Sequence, residues 1–398
     1  MKTLLTLLIL LSTIMVCKSQ QEKNIEFFSS SWSETLNRAR KESKPIFLYT
    51  YTSSCRFCRQ MEKEVFSNKE VSDFYNSNFI SHKIDIEDGA EGEALAGKYA
   101  IVGFPTYLYF DKNGMQVHQS GSAKPAEEFI FDGKNALNPE TSLFTLKRQY
   151  DNGDRSPDLL YNYSVALTSY HHKDSPEEKV VKEYLETQST QQLESTKNIK
   201  YIFTRHLSFN SPATQYFLKN QNKFIPSFED NAVERKAEKI ITRTSSIAGR
   251  NSDIQLLDQI EKSISANLKD KSRLTTLARI YYHQGQRNWS KYAAATLEYS
   301  RGQGKDDMQT MYETAIYLKH FAKDTQTLEL GVQIMEKVIK LEESYKNLNL
   351  YAQFQHTVGK DKQALKTARE AIEVAKKSGE ESSEANELVV KLQIADEK

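Results

Sequence analysis

A run that is apolar or aromatic almost throughout, Ile46-Phe47-Leu48-Tyr49-Thr50-Tyr51, stands between more polar stretches and predicts a strand buried on both faces. Upstream, Ser31-Trp32-Ser33-Glu34 has capping-box spacing, and Trp32, Leu36 and Ala39 recur at helical intervals until Pro45 closes the helix. Downstream, Cys58, Met61 and Val65 recur at helical spacing, and Ser67-Asn68-Lys69-Glu70 offers a second capping box ahead of Val71, Phe74 and Tyr75. Residues 79–86 read as a strand with Ile80, Ile84 and Ile86 on one face, and residues 94–99 as a short helix. Residues 101–110 turn into a strand, and Asp111-Lys112-Asn113-Gly114 is a hairpin turn into Met115-Gln116-Val117. Pro125 opens a last helix through Phe131. The order predicts an α/β unit with helical crossovers and an antiparallel pair at its end.

Beyond Asn135 the texture changes to charged helical stretches broken at Asn152-Gly153-Asp154 and Lys173-Asp174-Ser175-Pro176. No proline follows Pro226, which suits a long series of helices. Ala352, Gly359, Ala364, Ala368 and Ala371 are small residues that let paired helices approach, in a pattern similar to a tetratricopeptide repeat, and Leu277-Ala278, Tyr281 and Gly285 form a poorer copy. The expectation is an all-α, solenoid-like domain over 135–398 that binds or positions protein partners, or is a packing domain that merely shields or dimerises the first unit. The polar residues 187–198 are expected to be an exposed linker.

The amino terminus adds a destination. Met1-Lys2, the apolar residues 4–17 and Lys18-Ser19-Gln20 have the three zones of a secretory signal, in a run short of the roughly 20 apolar residues of a membrane helix. Cleavage after Ser19 would leave Cys55 and Cys58 as the mature chain's cysteines, so export to a periplasm, or to the extracellular space, is expected with no membrane span remaining. Charge is balanced, 54 Lys and Arg against 53 Asp and Glu without blocks of one sign, which argues against a nucleic-acid surface and leaves proteins as the expected partners.

The chemistry sits in Thr52-Ser53-Ser54-Cys55-Arg56-Phe57-Cys58, a CxxC pair carried from a strand into a helix. A helix start offers unpaired N–H groups and a positive dipole end, which stabilise thiolate, so Cys55 is the expected nucleophile, with Arg56 adding positive charge. Cys58, one turn on, can resolve a mixed disulfide with little backbone movement. Ser53 or Ser54 is expected to cap the helix. Zinc would need two further ligands from histidines or carboxylates, so no metal is assigned. His171-His172 read as a solvated pair, and His82 and His118 as spectators in strands.

Together, Cys55 and Cys58 after a central strand, Gly103-Phe104-Pro105-Thr106 before the next, and Lys112-Asn113-Gly114 in the hairpin resemble the thioredoxin fold over about the first third of the chain. The residues 58–67 are more similar to the thioredoxin-like domains at the periplasmic end of bacterial disulfide-interchange proteins. The resemblance implies a cis Pro105 against the dithiol, presenting the backbone of Phe104 to an extended substrate, and a Lys83 that lies behind the dithiol. Phe57 and Arg56 are expected to join Phe104 and Pro105 in substrate contact. The sequence departs from thioredoxin proper at Ser54, Arg56-Phe57 and Tyr49, the last standing where the family carries a buried acid; Lys83 with Asp85, or Glu87, are candidates for its proton relay.

The expected organisation is therefore a signal over 1–19, a thioredoxin-like domain over 20–134 and a helical domain over 135–398. The expected activity is exported thiol:disulfide exchange with protein clients, recycled by a redox partner and needing no cofactor beyond the Cys55–Cys58 pair. Thiolate stabilisation by Arg56 favours an oxidising potential. The alternative is a protein-binding scaffold in which the helical domain carries the function and the dithiol is idle or regulatory.

Overall fold

The computed structural model describes residues 24–170 and 174–396, so the leader with Cys17, and His171-His172, lie outside the described residues. Two compact units divide between Ser189 and Thr190.

In the first unit the elements are α1 (Trp32–Glu42), β1 (Ile46–Tyr51), α2 (Arg56–Gln60) running into a π-helical turn (Met61–Val65), α3 (Lys69–Asn78), β2 (Ile80–Asp85), α4 (Gly89–Lys98), β3 (Thr106–Phe110), β4 (Gln116–Gly121) and α5 (Ala126–Leu137). The sheet order is β2-β1-β3-β4, with β1 parallel to β2 and antiparallel to β3, and β3 antiparallel to β4. Strand alternation splits the core in two. Phe47, Tyr49, Tyr107 and Tyr109 face α3, α5 and the dithiol helix together with Cys58, Met61, Phe66, Tyr75 and Phe129. Ile46, Leu48, Leu108 and Phe110 face Trp32, Ala39 and Leu95. β2 is an edge strand, and an isolated parallel bridge from Phe27 to Ser81 covers part of it.

The Ser31–Glu34 capping box forms in both directions. The second does not: Asn68, not Ser67, is the N-cap of α3, its side-chain oxygen accepting from the N–H of Glu70 and Val71 at 2.9 and 3.2 Å. The short helix expected over 94–99 begins earlier, at Gly89, and α5 continues past Phe131 to Leu137. The regular spacing of Cys58, Met61 and Val65 conceals the π turn, in which Met61 and Val65 both stay buried.

Three further helices belong to this unit: α6 (Leu143–Asp151), α7 (Pro157–Thr168) and α8 (Glu177–Glu186), with α6 packed on β4. His118 is no spectator. Its Nδ1 accepts the N–H of Leu143, the first residue of α6, at 3.1 Å, so a strand imidazole does the work of a helix cap. Beside it Asp132 accepts from Ser120 Oγ at 2.6 Å and pairs with Lys124 at 2.5 Å, both partners of the pair nearly fully buried. Burial drives the His118 pKa down to about 4; Asp132 opposes the shift and Lys124 adds to it. The folded imidazole is thus neutral. The stability it contributes is complete above its ordinary value of 6.5 and is lost as pH falls from there toward about 4. Urea unfolding at neutral pH and near pH 4 should show His118→Asn, whose Oδ1 can keep the bond to Leu143, losing about 3 kcal/mol less than the native chain over that interval.

The second unit holds α9 (Thr190–Leu193), α10 (Thr196–Phe203), α11 (Pro212–Lys219), α12 (Gln221–Phe224), α13 (Asp230–Arg250), α14 (Ile254–Asn267), α15 (Lys271–Gly285), α16 (Trp289–Tyr299), α17 (Met308–Phe321), α18 (Thr325–Leu341), α19 (Tyr345–Thr357), α20 (Asp361–Ser378) and α21 (Ser383–Asp396). The stretch expected as an exposed linker carries α9 and the start of α10, with Asn198 only 2% exposed. From α13 onward, neighbours in sequence pack on one another, and Asp253, Asp270, Asn288, Asp307, Asp324 and Ser344 cap successive helices through their side chains. Ala352, Ala364, Ala368 and Ala371 are fully buried between neighbouring helices, whereas Gly359 is a turn residue at φ +77° with open space around it.

Helices α13 and α15 touch backbone to backbone. A Cβ on Gly249 would lie 2.0 Å from the carbonyl oxygen of Tyr282, and one on Gly285 would lie 2.0 Å from that of Ser246. Gly249→Ala must push the helices apart, and thermal unfolding of the full chain should register a loss of about 2–3 kcal/mol in the second unit's transition.

Candidate dithiol site

Residues 52–55 leave β1 in a turn, the Cys55 N–H donating to the carbonyl of Thr52 at 3.1 Å, and Cys55 becomes the N-cap of α2. Its sulfur accepts from the N–H of Cys58 at 3.1 Å. The expected serine cap is therefore corrected: the cysteine itself holds that place, and Ser54 pairs with Thr52 through their hydroxyls instead. Cys55 and Cys58 are joined as a disulfide. The two sulfur-bearing residues differ in setting, Cys55 being half-buried and Cys58 only 1% exposed within the aromatic core.

Around them the surface is cationic and apolar. Arg56 is exposed, with its guanidinium 5.8 Å from the centroid of the Phe57 ring, itself 53% exposed. Arg59 Nη1 donates to the carbonyl of Ser53 at 3.0 Å, bracing the turn before the dithiol. The Phe104–Pro105 peptide is cis. The β1–β3 ladder starts at Thr50–Thr106, so Phe104 stays outside it, and Phe104 and Cys55 pack against the same aromatic cluster. The carbonyl of Pro105 accepts the N–H of Ser122 at 3.0 Å, and the loop lines a cavity of about 220 Å³ with Val102, Gly103, Gln119 and Ser120.

The buried-acid position is filled by a phenol. Tyr49 is fully buried, and its hydroxyl makes no hydrogen bond of normal geometry among the described residues. Burial and then the nearby Glu62 carboxylate raise its pKa far out of the physiological range, so it remains protonated. Tyr51, stacked 5.2 Å from Tyr49, is raised by burial, then by Asp85 and Glu62. Glu62, half-buried in the π turn four residues after Cys58, is a carboxylate beside Tyr49 that the strand pattern does not point to; its spacing from Cys58 is the signal the sequence carries.

The family model of the thioredoxin-like domain matches residues 32–131. This segment is a thioredoxin-like domain. The chain is 30% identical over 141 residues to spermatogenesis-associated protein 20 of Homo sapiens, covering 34% of this chain and 17% of that one. It is 27% identical over 104 residues to the thiol:disulfide interchange protein DsbD of Salmonella typhi, covering 26% and 18%. The solution structure of a putative disulphide-isomerase from Bacteroides thetaiotaomicron aligns at 33% identity and a TM-score of 0.28, over 30% of this chain and 97% of that chain. The chain thus spans less than a fifth of the length of either of these two curated relatives.

Lys83, Asp85 and Glu87 lie on β2 and in the turn after it. Lys83 pairs with Tyr49 in the β1–β2 register but is exposed, its ammonium 5.6 and 5.7 Å from the ring centroids of Phe27 and Tyr51. Asp85 accepts the N–H of Glu87 at 3.0 Å in the turn after β2. No helix among the described residues is long and apolar enough to cross a membrane, and none of their His, Cys, Asp and Glu side chains gather in a set of three that could hold a metal ion.

The difference in burial has a direct chemical readout. In the reduced chain, iodoacetamide should label Cys55 at least about tenfold faster than Cys58, as read by site-resolved mass spectrometry; equal rates would contradict the geometry.

Proposed function

We propose that the thioredoxin-like domain exchanges disulfides with polypeptide clients, Cys55 attacking and Cys58 resolving. The observation that carries this reading is the pairing of a half-buried sulfur at a helix start with a buried partner one turn further on, bonded to each other. The Cys55 thiolate attacks a client disulfide; a bond forms to one client sulfur and the other leaves as a thiolate, which takes up a proton. Cys58 gives up its proton and attacks Cys55 Sγ, closing the Cys55–Cys58 bond and releasing the client as a dithiol. Two electrons pass from the chain to the client, and a dithiol-bearing redox partner must return them before the next turnover. The same steps in reverse oxidise a client.

No cofactor enters this reading, because the sulfur pair carries the electrons. Glu62 takes the proton of Cys58 in preference to Asp85, since it lies on the same helix one turn after Cys58 while Asp85 is engaged in the turn after β2. Lys83 is left as an outer contributor to that relay. Phe57, Arg56 and the Phe104–Pro105 loop supply the client contacts, the backbone of Phe104, outside the β1–β3 ladder, pairing with an extended segment. The helical unit engages polypeptide partners. The similarity to a thiol:disulfide interchange protein supports the chemistry, and the apolar leader supports export, which amino-terminal sequencing of exported chain should report as a start at Gln20.

Insulin reduction driven by dithiothreitol tests the activity. The native chain should accelerate it, Cys55→Ser should not, and Cys58→Ser should accumulate mixed disulfides with clients through Cys55. Neither turnover nor capture would leave a scaffold with an idle dithiol. The measured reduction potential assigns direction: near about −270 mV the chain reduces clients, near about −120 mV it oxidises them.

A further inference from the structure

The second unit carries a cationic face that the dithiol chemistry does not use. Lys236, Lys239 and Arg243 stand on α13 at spacings that put them on one side of the helix, and Ile240 and Ile247 fall on the same side, Ile247 being 38% exposed. The ammonium of Lys236 donates to the carbonyl of Arg205 at 2.9 Å and lies 5.3 and 5.5 Å from the ring centroids of Phe203 and Phe217. That anchor ties the chain after α10 to α13 and brings His206, the next residue, beside the same face.

The three cations and the imidazole of His206 are close enough to act on one another. His206 is held below its ordinary pKa by burial and then by Lys236, Lys239 and Arg243; Lys236 is lowered to about 8 by burial and then by Lys239. The acids near the start of the helix are engaged elsewhere, Asp230 and Glu234 with Lys269, and Glu238 with Arg273. None of the four forms an ion pair among the described residues. Like charges gathered without a counter-charge raise the local potential and select an anionic partner.

The extent of the face selects the class. From Lys236 to Arg243 the charges run about 10 Å along the helix axis, and Ile247 extends the stripe to about 16 Å. One small oxyanion spans far less. An extended chain rising about 3.3 Å per residue places acidic side chains at alternate positions against these cations and an apolar one against Ile247. The charge balance of the whole chain, +1, is unlike that of a nucleic-acid binder. We propose that this face of α13, with His206, docks an acidic polypeptide segment bearing an apolar residue at one end. The proposal rests on the reading that the helical unit engages polypeptides and names the sequence chemistry it selects.

Fluorescence anisotropy of a labelled peptide with glutamate at alternate positions and a terminal leucine, titrated with the full chain, tests it. Binding should saturate and weaken with salt. Lys239→Glu and Arg243→Glu, both at exposed positions, should each weaken it by about tenfold while leaving the helical circular-dichroism melt in place. Binding should also tighten as pH falls through the imidazole's titration, because a bound carboxylate raises the His206 pKa and the complex takes up a proton; His206→Gln should remove that pH dependence and retain binding at neutral pH. Unchanged affinity in both charge reversals, or equal affinity for the glutamine version of the peptide, overturns the proposal. Equally tight binding of inorganic phosphate makes the face a small-anion site and overturns it as well. Insulin turnover is read separately, so loss of one result does not obscure the other.

Discussion

Burial of Cys58 against the aromatic side of the sheet is the constraint on which the site depends. Phe47, Tyr49, Tyr107 and Phe129 form the wall, and Met61 and Val65 continue it along the helix that carries the dithiol. Because α2 must bury that side, its start has to emerge at the end of β1, with Cys55 at the cap and Cys58 one turn inward. Two chemically identical side chains thereby acquire different access to solvent, which is the asymmetry an ordered exchange needs.

The same wall is unusually polar for a core. Tyr75 and Tyr109 share a 2.8 Å hydrogen bond and Tyr75 also donates to the carbonyl of Phe129, while the hydroxyls of Tyr49 and Tyr107 have no such partner. Burial holds all four phenols protonated at physiological pH. An ionised aspartate in the place of Tyr49 would have to be desolvated beneath the dithiol; the phenol avoids that cost, and the nearest carboxylate acting on it is Glu62, on the dithiol helix. The Lys124–Asp132 pair, with Ser120, concentrates the remaining buried charge near β4 and α5, where removing either partner would strand the other.

The helical segments use a different logic. In the first unit α6 is fastened to the sheet by an imidazole that serves as its cap. In the second, side-chain caps punctuate successive helices, and the approach of Gly249 to the backbone of Tyr282 and of Gly285 to that of Ser246 sets how closely α13 and α15 pack. Such an array stabilises itself through neighbouring contacts, leaving side chains on its outer faces available for recognition.

The sequence by itself determined the unit's element order, the Ser31 capping box, the CxxC pair at a strand-to-helix junction and the buried strands. All of these are written in local periodicity and in residues with strong backbone preferences. It could not determine that Cys55 would displace Ser53 and Ser54 as the cap, that a π turn hid inside regular spacing, or that Asn68 would outcompete Ser67, since each is a contest among adjacent groups decided by where the helix is pinned. Still less could it reveal that His118 caps a helix 25 residues on, that Glu62 faces Tyr49, or that His206 meets Lys236. Those relations join distant positions, and distance along the chain carries no information about them until the packing of helices and strands brings the atoms together.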